Sequence, residues 1–392
     1  MGSPTSRTTQ PDIARPVPRE NRPVPGVSAR HRAYAPGWPG APLPRAAIRL
    51  AFAAPYVAVA VLAHRGGYDD SVNHALVAQA RLVRWGSSDL TFVRHVYPPL
   101  PTLIASVLPN ALALAVIGAL CAGVILETAC AGLGRAGYPG WAAVGLVAAF
   151  GATPSFALTA TTDLLAFLTL ALLALALDML IRFAVRGSTY AGFSAGLVIA
   201  LAVLCDPVAI VFAAAMAISA PLIARRRYRG QDAAGLATFV VLMFPTAAVV
   251  AGWTFLCWRF GHDPWVWLRT AAPRMWEPTG ALHRLSTVLH PLWTTPVFML
   301  AVIIRLARRE IGMVAGVLVP CAAILVALSA GLTFPPSSVA VTLGVLGLRA
   351  LPGRPRPRLL GLIVLVAVGG LVATWLAPPI AGVDAWLAAL RR

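Results

Sequence analysis

Two adjacent aspartates, Asp69 and Asp70, follow the first long apolar stretch of a chain that has only 14 acidic residues. His74, Arg81 and Arg84 come after them at helical spacing. A carboxylate can take a proton from a hydroxyl group, and an arginine can bind phosphate through its planar pair of N–H donors. The segment therefore combines residue types for proton transfer with residue types for phosphate binding. A helix N-cap would account for one aspartate of the pair, but not for both.

The residues after the aspartates have the pattern of an amphipathic helix. Val72, Leu76, Ala80 and Val83 recur every three or four residues, which predicts a helix over 72–85 with one apolar face. Such a helix would lie along a membrane interface. The aspartates would stand at its N-terminus, where free backbone N–H groups favour anions.

Prolines dominate the segment 94–109. Pro98, Pro99, Pro101 and Pro109 exclude an ordinary spanning helix, because proline lacks an N–H donor and clashes with the preceding turn. The segment is predicted to dip into the interface as a broken hairpin.

The composition is that of an all-α, polytopic integral membrane protein. Of 392 residues, 58% are hydrophobic and only 12% are charged, too few for the polar surface of a soluble domain of this size. The net charge is +18 and every basic residue is arginine, as is typical of GC-rich genomes. These arginines lie in short runs between apolar segments, the pattern of loops that face anionic lipid, so membrane lipids and not nucleic acid are the expected partners. The five cysteines lack metal-binding spacing and are expected to be buried apolar residues.

Apolar runs divide the chain into about eleven predicted membrane spans. Residues 1–45 are rich in Pro, Arg, Ser and Thr, which predicts a disordered, basic cytoplasmic tail ahead of a membrane domain over 46–392. The predicted spans are 46–64, 111–131, 140–156, 163–183, 190–205, 207–224, 234–256, 291–307, 311–331, 337–350 and 359–377.

The arginines also predict the orientation. With the tail in the cytoplasm, the arginine-rich breaks between spans fall on the cytoplasmic side, and the segments 65–110 and 257–290 fall outside. Six of the seven histidines and half of the acids then lie on or near the outer face. A protein that places its titratable groups on one side is expected to function there. We therefore predict an extracytoplasmic site on a plasma (inner) membrane protein.

The order of these features resembles the GT-C superfamily of polyprenyl-phosphate-sugar-dependent glycosyltransferases, which includes protein mannosyltransferases and aminoarabinose transferases of lipid A. The resemblance covers about residues 46–225. The sequence departs from the family pattern in three respects. Its second acid is Asp where Glu is common, and the pocket lysine of some members is absent. We also expect no soluble domain after the last span. The matching features are Asp69-Asp70, the helix 72–85, Tyr97-Pro98-Pro99-Leu100, Asp163 at the outer end of a span, and the segment 192–213.

The resemblance implies a reaction and a set of site residues. A polyprenyl-phosphate sugar in the outer leaflet would donate its glycosyl group, with inversion, to a hydroxyl of a cell-envelope acceptor. Asp69 would be the general base with Asp70 in reserve, and Asp163 a third catalytic carboxylate. Donor phosphate would be bound by residues among Arg81, Arg84, Arg94, His95, Arg269, Arg274 and Arg284. Substrate would be contacted by His74, Tyr97, His262, Trp265 and Trp267.

Several alternatives remain open at this stage. Asp163 and Asp206 could be helix N-caps, and the tryptophans could form an interfacial belt. A divalent metal held by Asp70, His74, His95 or His262 lacks support from ligand spacing, so neither a metal nor another cofactor is firmly implied. Two other functions remain open: a catalytically silent relative that scaffolds envelope assembly, and a transporter or flippase. A transporter predicts polar mid-span residues and broken helices in related halves, but the sequence has few mid-span charges and no internal repeat.

Overall fold

All the regular secondary structure in the described part of the chain is helical. The computed structural model describes residues 41–68, 71–84, 86–88, 90–186, 188–223, 232–271, 295–332, 335–376 and 382–392. A short 3-10 helix covers Thr91–His95. The α-helices in these ranges are α1 (Pro42–Arg65), α2 (Ser71–Ala80), α3 (Pro99–Val107), α4 (Ala111–Arg135), α5 (Gly140–Gly151), α6 (Pro154–Thr162), α7 (Leu164–Arg186), α8 (Thr189–Val203), α9 (Val208–Ile223), α10 (Asp232–Gly261), α11 (Val266–Ala271), α12 (Pro296–Ala307), α13 (Ile311–Ser329), α14 (Pro336–Ala350), α15 (Pro357–Leu376) and α16 (Val383–Leu390).

Six of these helices are long and apolar enough to cross a membrane, which confirms the predicted class of helical membrane protein. They are α1, α4, α7, α10, α13 and α15. Helices α5 and α6 meet at an angle of 67° and together would make a seventh, broken span. Helices α8, α9, α12 and α14 are apolar but shorter. Each of the eleven apolar segments expected from the sequence thus contains helix.

Helices α1 and α4 pack closely because small residues line their contact. A Cβ atom added to Gly123 of α4 would lie 2.1 Å from the carbonyl oxygen of Arg49, so only glycine allows this approach. Farther along the same contact, the fully buried Glu127 accepts hydrogen bonds from Arg45 and Arg49. Two arginines on one helix and one carboxylate on the other fix the register of α1 against α4.

The break between α5 and α6 lies within the segment 140–156, for which one span was predicted. Pro154 is the first residue of α6, where its missing N–H does no harm, but it prevents α5 from continuing. The indole N–H of Trp375, on α15, donates to the carbonyl oxygen of Ala152 at 3.0 Å. An acceptor released by the break thereby has a partner.

Two further boundaries differ from the sequence predictions. Helix α1 begins at Pro42, inside the predicted tail 1–45, of which residues 1–40 lie outside the described ranges. Helix α2 ends at Ala80 instead of continuing to residue 85, and its buried face is Leu76, Val77 and Ala80, while Val72 is exposed. This apolar face packs against α3 and α4.

A final short helix, α16, follows the last span and was not expected. It packs against the C-terminal end of α1, where a Cβ atom on Gly66 would lie 1.9 Å from the carbonyl oxygen of Ala389. Val383 and Trp386 are buried in this contact and Asp384 is exposed. Helix α16 therefore covers the C-terminal end of α1, the helix that precedes α2 in the chain.

The two ends of the bundle hold different groups of ionisable residues. We call one the arginine end, where Arg135, Arg182 and Arg349 meet Asp178. We call the other the acidic end, which contains Asp163, between α6 and α7, and Asp206, between α8 and α9.

Candidate active site

Helix α2 contacts the acidic end of the bundle through its first turn. Asp69 and Asp70 themselves lie outside the described residues, and α2 begins directly after them at Ser71. Asn73, in the first turn of α2, is fully buried, and its side-chain oxygen accepts a hydrogen bond from the backbone N–H of Leu164 at 3.1 Å. This bond places the start of α2 against the junction of α6 and α7.

Asp163 occupies that junction and caps α7. Its carboxylate accepts a hydrogen bond from the backbone N–H of Ala166 at 2.9 Å, the geometry of a helix N-cap. The capping alternative considered from the sequence is therefore observed. Asp163 is partly exposed.

Asp206 is a second capping carboxylate at the acidic end. It is buried and accepts a hydrogen bond from the backbone N–H of Val208 at 2.8 Å, which confirms the helix-start cap predicted for it. It was not among the predicted catalytic residues. The sequence did contain a signal for this residue, the Asp-Pro pair within a long apolar stretch. A carboxylate there is removed from water at a cost, which marks it as a candidate functional residue.

The two caps interact electrostatically. The pKa of Asp206 is raised to about 7. Burial is the main cause, the hydrogen bond from Val208 opposes the rise, and the nearby Asp163 adds to it. Burial likewise raises the pKa of Asp163 to about 6, opposed by hydrogen bonds from the backbone N–H groups of Ala166 and Leu165. The acidic end therefore holds two carboxyl groups that change charge near neutral pH.

These pKa values predict a pH-dependent stability. Because both lie above the ordinary value of 3.8, the folded chain holds protons that the unfolded chain releases. The stabilisation by the protonated carboxyls is complete below about pH 4 and is lost as the pH rises through 7. In detergent, the melting temperature of the wild type should fall between pH 5 and pH 8, and Asp206→Asn should reduce that fall. Asp384→Asn, which changes an exposed carboxyl on α16, should keep the wild-type slope, whereas identical slopes for all three proteins would contradict the assignment.

The predicted Tyr97 element joins α2 to α8. The Tyr97 hydroxyl donates to the carbonyl oxygen of Val203 at 2.9 Å, and the N–H of Leu100 donates to that of Leu204 at 3.1 Å. From the other side, the Gln79 side chain of α2 donates to the carbonyl oxygen of Tyr97 at 2.6 Å. The loop after the 3-10 helix is thus held between α2 and the chain that leads to Asp206.

Two tryptophans cover the Tyr97 ring. The ring centroid of Trp267, on α11, lies 5.0 Å from that of Tyr97, and the centroid of Trp253, on α10, lies 6.0 Å away. Tyr97 and Trp267 are almost fully buried. The two predicted substrate-binding residues therefore pack against each other in the interior.

Most of the other predicted site residues lie on the surface. The Arg269 side chain forms an ion pair with Asp263, which is itself half-exposed. Arg274 and Arg284 lie outside the described residues, as does the side chain of Arg94. The remaining predicted residues are exposed: His74, Arg81, Arg84, His95, His262 and Trp265.

The acidic end also contains residues that the sequence prediction did not assign to the site. Asn73 and Gln79 provide the side-chain contacts that connect α2 with Leu164 and with the Tyr97 loop. Both are polar residues of α2, but the helical period of the sequence does not indicate which distant residues they contact. In the part of the chain that the structure describes, no three His, Cys, Asp or Glu side chains are grouped so as to hold a metal ion.

The fold and this site define a helical membrane protein with a carboxylate-bearing site at one end of its bundle. Comparison of the chain with protein-family models, with curated proteins and with solved structures gives no match.

Proposed function

We propose that the protein is an inverting glycosyltransferase that moves a sugar from a polyprenyl-phosphate donor to a hydroxyl of a cell-envelope acceptor. The observation that carries the proposal is the hydrogen bond from Leu164 to Asn73, which brings the helix that follows Asp69 and Asp70 to the junction containing Asp163. In the proposal, the acids that precede this helix act at the same end of the bundle as Asp163. This is the arrangement that acid–base chemistry on a membrane-bound donor requires.

In this proposal each group has a separate task. Asp69 takes the proton of the acceptor hydroxyl while that oxygen attacks the anomeric carbon, and the lipid phosphate leaves with the electrons of the broken bond. Exposed arginines that follow α2, Arg81 and Arg84, stabilise the departing phosphate by charge and by bidentate hydrogen bonding. Asp163 orients the acceptor or one of these arginines.

The proposal includes an orientation. The six long helices, the bent pair and the four shorter apolar helices would together give the eleven spans predicted from the sequence, with the shorter ones crossing where the protein kinks or thins the bilayer. The arginine end would face the cytoplasm, together with the N-terminus, and the acidic end would face outward from a plasma membrane.

Cysteine labelling tests this orientation. Ser88 and Arg356 are both exposed, and they lie on opposite sides of the membrane in the proposed topology. In a background with the partly exposed Cys321 changed to Ala, an impermeant thiol reagent added to intact cells should label Ser88→Cys and not Arg356→Cys. Both should react after lysis. Labelling of Arg356→Cys alone in intact cells would place the proposed site on the wrong side.

The activity is tested directly by offering the purified protein a panel of polyprenyl-phosphate sugars with a cell-envelope extract as acceptor. Transfer of sugar to the extract supports the enzyme. A silent scaffold would transfer nothing from any donor, yet its deletion would still impair envelope assembly. A transporter would move a lipid or solute across a vesicle membrane without forming a glycosidic bond. The one bent pair that the described residues contain, α5 with α6, has no partner of the same kind in a second half of that part of the chain.

A further inference from the structure

A cavity of about 300 Å³ opens at the arginine end of the bundle, away from the proposed active site. Its charged lining consists of Arg135, Arg182, Arg305, Arg349 and Asp178. The four arginines come from four different helices, α4, α7, α12 and α14, close to the C-terminal end of each. The volume lies at the lower end of the range of about 300–1,000 Å³ that small-molecule sites occupy.

Three of these arginines share a single carboxylate. Asp178 is buried, and one or the other of its oxygens accepts a hydrogen bond from Arg135, Arg182 and Arg349. Each guanidinium group carries five N–H donors, so one carboxylate leaves most of them unused. The Nε–H of Arg182 is buried and has no partner among the described residues.

The fourth arginine has other acceptors. Arg305 forms an ion pair with Glu310 and donates to the carbonyl oxygens of Ala350, at 2.7 Å, and Leu351, at 2.8 Å. It therefore neutralises the negative C-terminal end of α14. Four guanidinium groups against two carboxylates leave an excess of two positive charges around the cavity. The arginines repel one another, and their excess positive charge would attract a further anion.

A glycine shapes the wall of the cavity. A Cβ atom on Gly132 of α4 would lie 1.6 Å from Nη1 of Arg349, so the guanidinium group of Arg349 can occupy its position only because residue 132 has no side chain. Glycine inside a helix costs about 1 kcal/mol relative to alanine. Here it allows Arg349 to reach both Asp178 and the cavity.

We propose that this cavity binds a phosphate group, supplied either by the headgroup of an anionic phospholipid or by a soluble phosphate. Guanidinium groups bind phosphate oxygens through paired N–H donors, and four of them line the cavity. A single phosphate would take up the unused donors of Arg135 and Arg182 and offset the excess charge. The site is separate from the acidic end, and its test does not depend on glycosyl transfer.

The test measures thermal stabilisation of the purified full chain in detergent by two probes. Orthophosphate is titrated against chloride at equal ionic strength, and phosphatidic acid is compared with phosphatidylcholine in mixed micelles. Arg182→Gln should weaken binding of the effective probe by about tenfold or more, because a charge-assisted hydrogen bond is removed. Arg356→Gln, which removes the same charge from an exposed position outside the cavity lining, should bind as the wild type does.

The two probes distinguish the sources of the phosphate. Stabilisation by orthophosphate identifies a soluble ligand, and stabilisation by phosphatidic acid alone identifies a lipid headgroup. Stabilisation by neither probe would overturn the proposal, as would equal binding by the wild type and Arg182→Gln. If Arg182→Gln fails to fold, Gly132→Ala displaces Arg349 from the same wall and should weaken binding likewise. Wild-type affinity in Gly132→Ala would also overturn the proposal.

Discussion

Asp69→Asn is expected to lower glycosyl transfer by roughly 10²–10⁴-fold, which is the usual contribution of a positioned general base. The amide of asparagine has nearly the size of the carboxylate and retains a hydrogen-bonding oxygen, but it cannot accept the proton of the acceptor hydroxyl. The rate should fall at all donor concentrations, because the loss affects the chemical step. The measurement is the initial rate of transfer from the best donor of the panel, for equal amounts of folded protein.

The same substitution elsewhere at this end provides the control. Asp384→Asn changes an exposed carboxylate on α16 and should leave the rate unchanged. Melting temperature in detergent separates loss of chemistry from loss of folding: an Asp69→Asn protein that melts with the wild type but transfers slowly supports the base. If Asp70→Asn is the slow variant and Asp69→Asn is not, the roles within the pair are exchanged. Wild-type rates for both would refute the proposed mechanism.

The helices themselves could be predicted because lipid imposes a simple requirement. A segment in the bilayer must satisfy every backbone group internally and expose apolar side chains, so a long apolar run is enough to indicate a helix. The run 111–131 corresponds to α4 and the run 359–377 to α15. Their ends were less predictable. Helix α5 ends at Gly151, before Pro154, although the predicted span continued to residue 156.

The contacts that organise the two ends could not be read from a periodic pattern. Asn73 and Leu164 are 91 residues apart in the chain, and Asp178 and Arg349 are 171 apart. A helical period states which residues share a face, but not which other helix that face meets. The arginines at the ends of spans therefore appeared in the sequence only as markers of orientation. Their convergence on one carboxylate depends on the order in which the helices pack.

That convergence gives the second large prediction: Asp178→Asn should lower the free energy of unfolding by about 3–5 kcal/mol, as the loss of one partner from a buried ion pair does. The substitution keeps the size of the side chain and one acceptor oxygen, but leaves the guanidinium groups of Arg135, Arg182 and Arg349 without a counterion. Their mutual repulsion then acts across three helices at once. The measurement is denaturant-induced unfolding in detergent and phosphate-free buffer, because a bound phosphate would replace part of the lost charge.

Glu310→Gln is the matched control at the same end. Glu310 is partly exposed and has one arginine partner, Arg305, so its loss should cost no more than about 1 kcal/mol. If both variants have the same free energy of unfolding as the wild type, the arginine end is held by apolar packing and Asp178 contributes no net stability. If Asp178→Asn is strongly destabilised and Glu310→Gln is not, the buried carboxylate joins α4, α7 and α14. Because Asp178 lies at the opposite end from Asp163, the Asp178→Asn protein that remains folded should then transfer sugar at the wild-type rate, in contrast to Asp69→Asn.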